Sequence, residues 1–137
     1  MSFTKILRAA AVACLALAAS AGSAKADDRV FELRTYTCVE GRLEALKKRF
    51  RDHTTKLFEK HGMTNIGYWV PQDGPTSKTT LIYVLAHPSR EAAKKNWDAF
   101  RNDPAWVKAR TASEADGKIV DHVDSVFMSP ADFSPMK

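Results

Sequence analysis

From residue 30 onward, the hydrophobic pattern switches between a period of two and a period of three to four. Val30–Cys38 alternates as a strand does, with Phe31, Leu33 and Thr35 on one face and Glu32, Arg34 and Tyr36 on the other. Val39, Glu40 and Gly41 supply a turn. Residues 42–61 read as an amphipathic helix, with Leu43, Leu46, Phe50, Leu57 and His61 on one stripe and Gly62 as its natural stop. Residues 66–70 form a second strand that sends Tyr68 and Trp69 to opposite faces. A cluster of Pro, Asp, Gly, Thr and Ser over 71–78 turns the chain into a third strand over 79–87, which makes an antiparallel hairpin. Ser89 caps a helix over Arg90–Arg101 that carries Ala93, Trp97 and Phe100 on its apolar stripe. Asp103 and Pro104 are a second start signal, for a segment running to about Asp116. Gly117 ends it, residues 119–128 form a fourth strand, and residues 129–137 form an extended tail.

The order is β-α-β-β-α-β, which predicts an α+β, ferredoxin-like domain: an antiparallel four-stranded sheet with helices on one face. The third strand carries Leu81, Tyr83 and Leu85 on one face and Ile82, Val84 and Ala86 on the other, so both its faces are apolar. Two helical segments cover only one face of such a sheet. A second copy of the chain is the expected cover for the other, giving a homodimer with sheets packed face to face.

The first 26 residues change the picture of charge and address. Lys5 and Arg8 precede an apolar run from Ala9 to Ala21, and Ala24-Lys25-Ala26 is a small-x-small cleavage pattern. That run is too short to span a bilayer. The expectation is a Sec-type signal peptide over 1–26, cleaved after Ala26, and a periplasmic or secreted domain over 27–137 with no stable membrane anchor. Cleavage removes three basic residues and no acid, so the formal charge falls from +5 to +2. That leaves no electrostatic footprint for nucleic acid. Of the two cysteines only Cys38 remains in the mature chain, where a buried thiol at a strand end is expected.

Several short motifs then resemble one family. Glu32-Leu33-Arg34-Thr35-Tyr36 opens the first strand, Gly41-Arg42-Leu43 opens the helix, and His61-Gly62 closes it. Gly67-Tyr68-Trp69 lies in the second strand, and Asp103-Pro104-Ala105-Trp106 matches a D-P-x-W segment. Five motifs in order over about residues 30–130 resemble the NIPSNAP family. The resemblance implies a dimeric α/β barrel, in which two ferredoxin-like units pack their sheets together. It implies no particular reaction, because the wider barrel superfamily holds cofactor-free monooxygenases, haem-degrading enzymes and stress-induced proteins.

If Phe31 and Leu33 pack under the helices, Glu32, Arg34 and Tyr36 face the barrel interior. Arg34 would then hold a carboxylate or enolate oxygen, with Glu32 orienting it or acting as a base. The alternative is a buried polar cluster that fixes the dimer register. His122 and Asp124 share a face of the fourth strand and form a second candidate pair, or a pair at the dimer seam. Tyr68 and Tyr83 complete the ligand-binding candidates beside Glu32, Arg34, Tyr36, His122 and Asp124. The histidine spacing gives no zinc pattern, and there is no Gly-rich phosphate loop or nucleophile elbow, so neither metal nor cofactor is expected. The expected function is a small-molecule pocket, cofactor-free oxygenase or isomerase in its enzymatic form. The alternative is a non-catalytic interaction or stress-response scaffold.

Overall fold

The computed structural model describes residues 29–137; the signal peptide expected over 1–26 lies outside the described residues. Four strands form one antiparallel sheet: β1 (Val30–Cys38), β2 (Thr64–Trp69), β3 (Thr80–His87) and β4 (Val120–Met128), in the spatial order β2-β3-β1-β4. This is the ferredoxin-like order, with β1 and β3 central. The fold is α+β. The helix after β1 is a continuous rod, α1, in three parts: Leu43–Arg49, a π-wound stretch Phe50–Thr54, and Thr55–Lys60. Two further helices, α2 (Arg90–Arg101) and α3 (Pro104–Ser113), follow β3.

The start signals lie where the sequence puts them. Ser89 Oγ accepts from the Ala92 N–H at 3.0 Å, and Asp103 Oδ1 accepts from the Ala105 N–H at 2.8 Å. Gly62 adopts φ +77°, and a Cβ there would come 2.9 Å from Asn96 Nδ2. The α1 stripe departs from the expected one. Leu57 is only half buried, whereas Thr54 and Phe58 are buried. The cause is the π stretch, where Thr54 Oγ1 donates to Arg49 O and Thr55 Oγ1 donates to Phe50 O, widening the turn. One extra residue per turn keeps Phe50, Thr54 and Phe58 on the buried side.

The sheet's two faces are the reverse of the arrangement expected from β1. Register pairs Glu32 with Leu85, Arg34 with Tyr83 and Tyr36 with Leu81, and this set lies under the helices. Phe31, Leu33 and Thr35 lie on the open face with Ala86, Val84 and Ile82. The reason is the aromatic core beneath the helices. Tyr83 is fully buried with ring centroids 5.2 Å from both Phe50 and Tyr68, and Tyr36 stands 5.3 Å from Tyr83. Polar Glu32 is tolerated there because its carboxylate meets donors from three other elements.

Trp69, Val126 and Met128 extend the open face. Trp69 and Val126 are each 54% exposed. A cavity of about 390 Å³ lies on this face, bounded by Phe31, Ile66, Trp69, Val84 and tail residues such as Met136. Cys38 is a buried free thiol at the end of β1, as expected, and burial pushes its pKa up. None of the described helices is long and apolar enough to cross a membrane.

Candidate functional site

Glu32 is the centre of the polar cluster. It is 1% exposed, and each carboxylate oxygen accepts two bonds. Oε1 accepts from Arg34 Nη1 and Ser125 Oγ, both at 2.7 Å. Oε2 accepts from Trp97 Nε1 at 2.7 Å and lies 2.8 Å from His87 Nε2, which donates in the tautomer that carries the proton there. Burial alone would raise the carboxyl pKa. The bonds from His87, Ser125, Trp97 and Arg34 outweigh it and lower the pKa from 4.5 to about 2.

Arg34 is held by this carboxylate. Its Nε donates to Tyr83 Oη at 2.9 Å, and its guanidinium lies 4.3 Å from the Trp97 ring centroid. Burial opposes its charge, but the Tyr83 and Tyr36 oxygens and Glu32 hold its pKa above the ordinary value. Two of its five N–H donors serve the Glu32 and Tyr83 bonds, and 12% of the side chain remains exposed. Tyr83 is a neutral phenol whose pKa burial pushes well up.

Two cavities open beside this cluster, between the helices and the edge strand β4. The first, about 590 Å³, is lined by Glu32, Arg34 and Trp97, by Ser125 and Phe127 of β4, and by Arg90, Glu91, Lys94 and Arg101 of α2, of which Lys94 and Arg101 pair with Asp98. The second, about 520 Å³, is lined by Tyr36, Arg49, Trp106, Arg110, Glu114 and Val123 among others. Both are basic and partly aromatic, a chemistry suited to an organic anion.

The structure therefore joins Glu32, Arg34, Tyr36 and Tyr83 at one place, with Tyr83 beneath the floor. Tyr68 belongs to the same aromatic layer but lies on the far side under α1, where its hydroxyl donates to Asn65 Oδ1 and burial raises its pKa. His122 and Asp124 are not part of the cluster. Register sets them opposite Thr37 and Thr35 on the open face, and both are exposed. His122 bonds Asp121 at 2.8 Å and is among the residues lining the second cavity, while its Nε2 stands 3.8 Å from Asp124.

Sequence reasoning missed His87, Ser125 and the basic face of α2. His87 reads as a strand-end residue, yet it is buried against Glu32. Arg90, Lys94 and Arg101 carried a legible signal, since spacings of four and seven put them on one side of the helix. Among the described residues no group of three or more His, Cys, Asp or Glu side chains is placed to hold a metal ion.

The comparisons with known proteins agree with this architecture. A NIPSNAP family protein of unknown function from Agrobacterium tumefaciens superposes with a TM-score of 0.69 at 22% identity, over 82% of this chain and 96% of that one. A NIPSNAP-like domain protein from Burkholderia xenovorans gives 0.68 at 15% identity, over 80% and 90%. SnoaB, a cofactor-independent oxygenase from Streptomyces nogalater, gives 0.52 at 11% identity, over 79% and 98%. At these identities the likeness is one of fold. Among curated proteins none matches the chain. The NIPSNAP family model matches residues 31–135, so the chain belongs to the NIPSNAP family.

Proposed function

We propose that the groove beside Arg34 binds a small organic anion with an apolar or aromatic body, in a homodimer that is exported from the cytoplasm. The observation that carries the proposal is Arg34 itself. It is a largely buried cation, fixed in place by Glu32 and Tyr83, with donors to spare on the floor of a groove whose other wall is basic. Such a preset guanidinium is suited to grip a carboxylate or enolate oxygen.

Glu32 is a positioning residue in this reading. A carboxyl group held at about pKa 2 has little driving force to take up a proton near neutrality, so the base role expected from the sequence is dropped. The enzymatic form of the proposal is cofactor-free oxygenase or isomerase chemistry on the bound anion, with Arg34 steadying the developing oxyanion. The shared fold of SnoaB supports it only at the level of architecture. A second reading, a non-catalytic interaction or stress-response scaffold, draws on one specific feature: both oxygens of the Glu32 carboxylate are already satisfied by protein donors.

Native mass spectrometry of the protein recovered from periplasm tests the proposal. We expect a dimer that carries a stoichiometric small-molecule adduct and lacks residues 1–26. Arg90→Gln is expected to lose the adduct and stay folded. A clean, empty dimer, with Arg34→Ala reducing stability and removing no binding event, transfers the case to the scaffold. Uncleaved protein confined to the cytoplasm overturns the export part alone.

A further inference from the structure

The two cavities meet at Arg101, and together they are called the trough. Arg101 lines both, and β4 walls both, with Val123 in one and Ser125 and Phe127 in the other. Four residues of extended strand cover about 13 Å. Each end of the trough has its own cations. Arg34, Arg90 and Lys94 stand at the Phe127 end, where the Arg90 guanidinium lies 3.7 Å from the Phe127 ring centroid. Arg49 and Arg110 stand at the Val123 end. Trp97 provides aromatic surface in the first cavity, and Tyr36, Phe100 and Trp106 provide it in the second.

Arg49 makes the second end more than a charged rim. It is 4% exposed, and its Nε is buried with no hydrogen-bond partner among the described residues. Its Nη1 contacts are long, 3.2 Å to Ser113 Oγ and 3.5 Å to Glu114 Oε1. Glu114 is divided between Arg49 and Arg110 at 3.5 Å each, and Asp121 pairs with His122 and Lys118. Both acids at this end are therefore already engaged. A buried guanidinium with an unmet donor carries a free-energy cost. Arg49 also lines a further cavity between α1 and α3, and an acidic group reaching it from the trough would relieve that cost.

We propose that the trough takes an elongated molecule with an acidic group at each end, of the class of aromatic dicarboxylates. One acid is gripped on the Arg34 side and the other on the Arg49 and Arg110 side. The inference rests on the binding reading above and specifies its ligand class.

Isothermal titration of the full chain at low ionic strength tests it. The probes are the para-linked dicarboxylates of benzene, biphenyl and stilbene, with their matching monocarboxylates. We expect affinity to rise with length until the span is met. The best dicarboxylate should bind about tenfold tighter than its monocarboxylate, the gain of one further charge-assisted contact. Arg110→Gln, an exposed site, should remove most of that gain and weaken the monocarboxylate far less. Equal binding of mono- and dicarboxylates at every length, or equal losses for both in Arg110→Gln, overturns the two-ended ligand and leaves the single Arg34 site standing. No binding by any probe overturns both.

Discussion

At the scale of single residues, the molecule turns on one buried carboxylate. Glu32 accepts four hydrogen bonds, and only Arg34 is near in sequence; His87, Trp97 and Ser125 lie 55, 65 and 93 positions away. The sign of its effect on stability follows from its lowered pKa. The unfolded chain takes up this proton near pH 4.5 and the folded chain only near pH 2. The stabilisation is therefore full above about pH 4.5 and lost as pH falls towards 2. A shift of that size corresponds to about 3 kcal/mol. We predict that the unfolding free energy of Glu32→Gln, measured by chemical denaturation, falls less steeply than wild type's between pH 5 and 2, with the gap closing at the acid end. Parallel curves would show that the carboxylate is not held as described. The alternation of β1 made the shared face of Glu32, Arg34 and Tyr36 legible in the sequence. It left the direction of that face open, because Phe31 and Leu33 are as apolar as a core face requires. The partners that decide the matter come from elements that only the tertiary fold brings close.

At the scale of elements, the start signals were legible and the links between elements were not. Ser89 and Asp103-Pro104 mark helix starts by local chemistry alone, and the structure starts α2 and α3 there. Asp103 also ties α3 to the end of α1, with Lys60 Nζ and His61 Nε2 each 2.7 Å from its Oδ2. These bonds, Lys60's first, hold its pKa below the usual carboxylate range. We predict that Tm falls in the order wild type, Asp103→Asn, Asp103→Ala. Asparagine keeps the cap and loses the charge pair, whereas alanine loses both. Equal values for the two variants would mean that only the charge pair matters, and an Asp103→Asn value equal to wild type would mean that only the cap does. The π stretch of α1 was not legible either. Thr54 and Thr55 form ordinary helix patterns in sequence, and their hydroxyl bonds to Arg49 and Phe50 appear only once the rod is packed. That stretch follows directly on Arg49, the buried cation at one end of the trough.

At the scale of the whole molecule, one face of the sheet is closed and the other is open. Helices cover Tyr36, Tyr68, Tyr83 and Leu85, while Leu33, Ile82, Val84, Trp69 and Val126 share the side with no helix. The apolar character of β3 on both faces made this surplus legible in the sequence, since the described residues have helices enough for one layer and not for two. The trough lies on the closed side, so covering the open side leaves it accessible, and the two features can be tested separately. Val126 sits near the middle of β4 opposite Leu33, and more than half of its surface is exposed. A carboxylate there stays hydrated in a monomer but is desolvated between two apolar sheets. We predict that wild type sediments as a dimer and that Val126→Glu sediments as a monomer with its far-ultraviolet circular dichroism unchanged. The Arg34 side of the trough should still bind its anion in that monomer, because neither Arg34, Arg90 nor Lys94 lies on the open face. A wild-type monomer would remove the second copy as the cover for this face. A dimer that survives Val126→Glu would move the contact to another surface. Loss of anion binding on dissociation would show instead that the partner sheet completes the site.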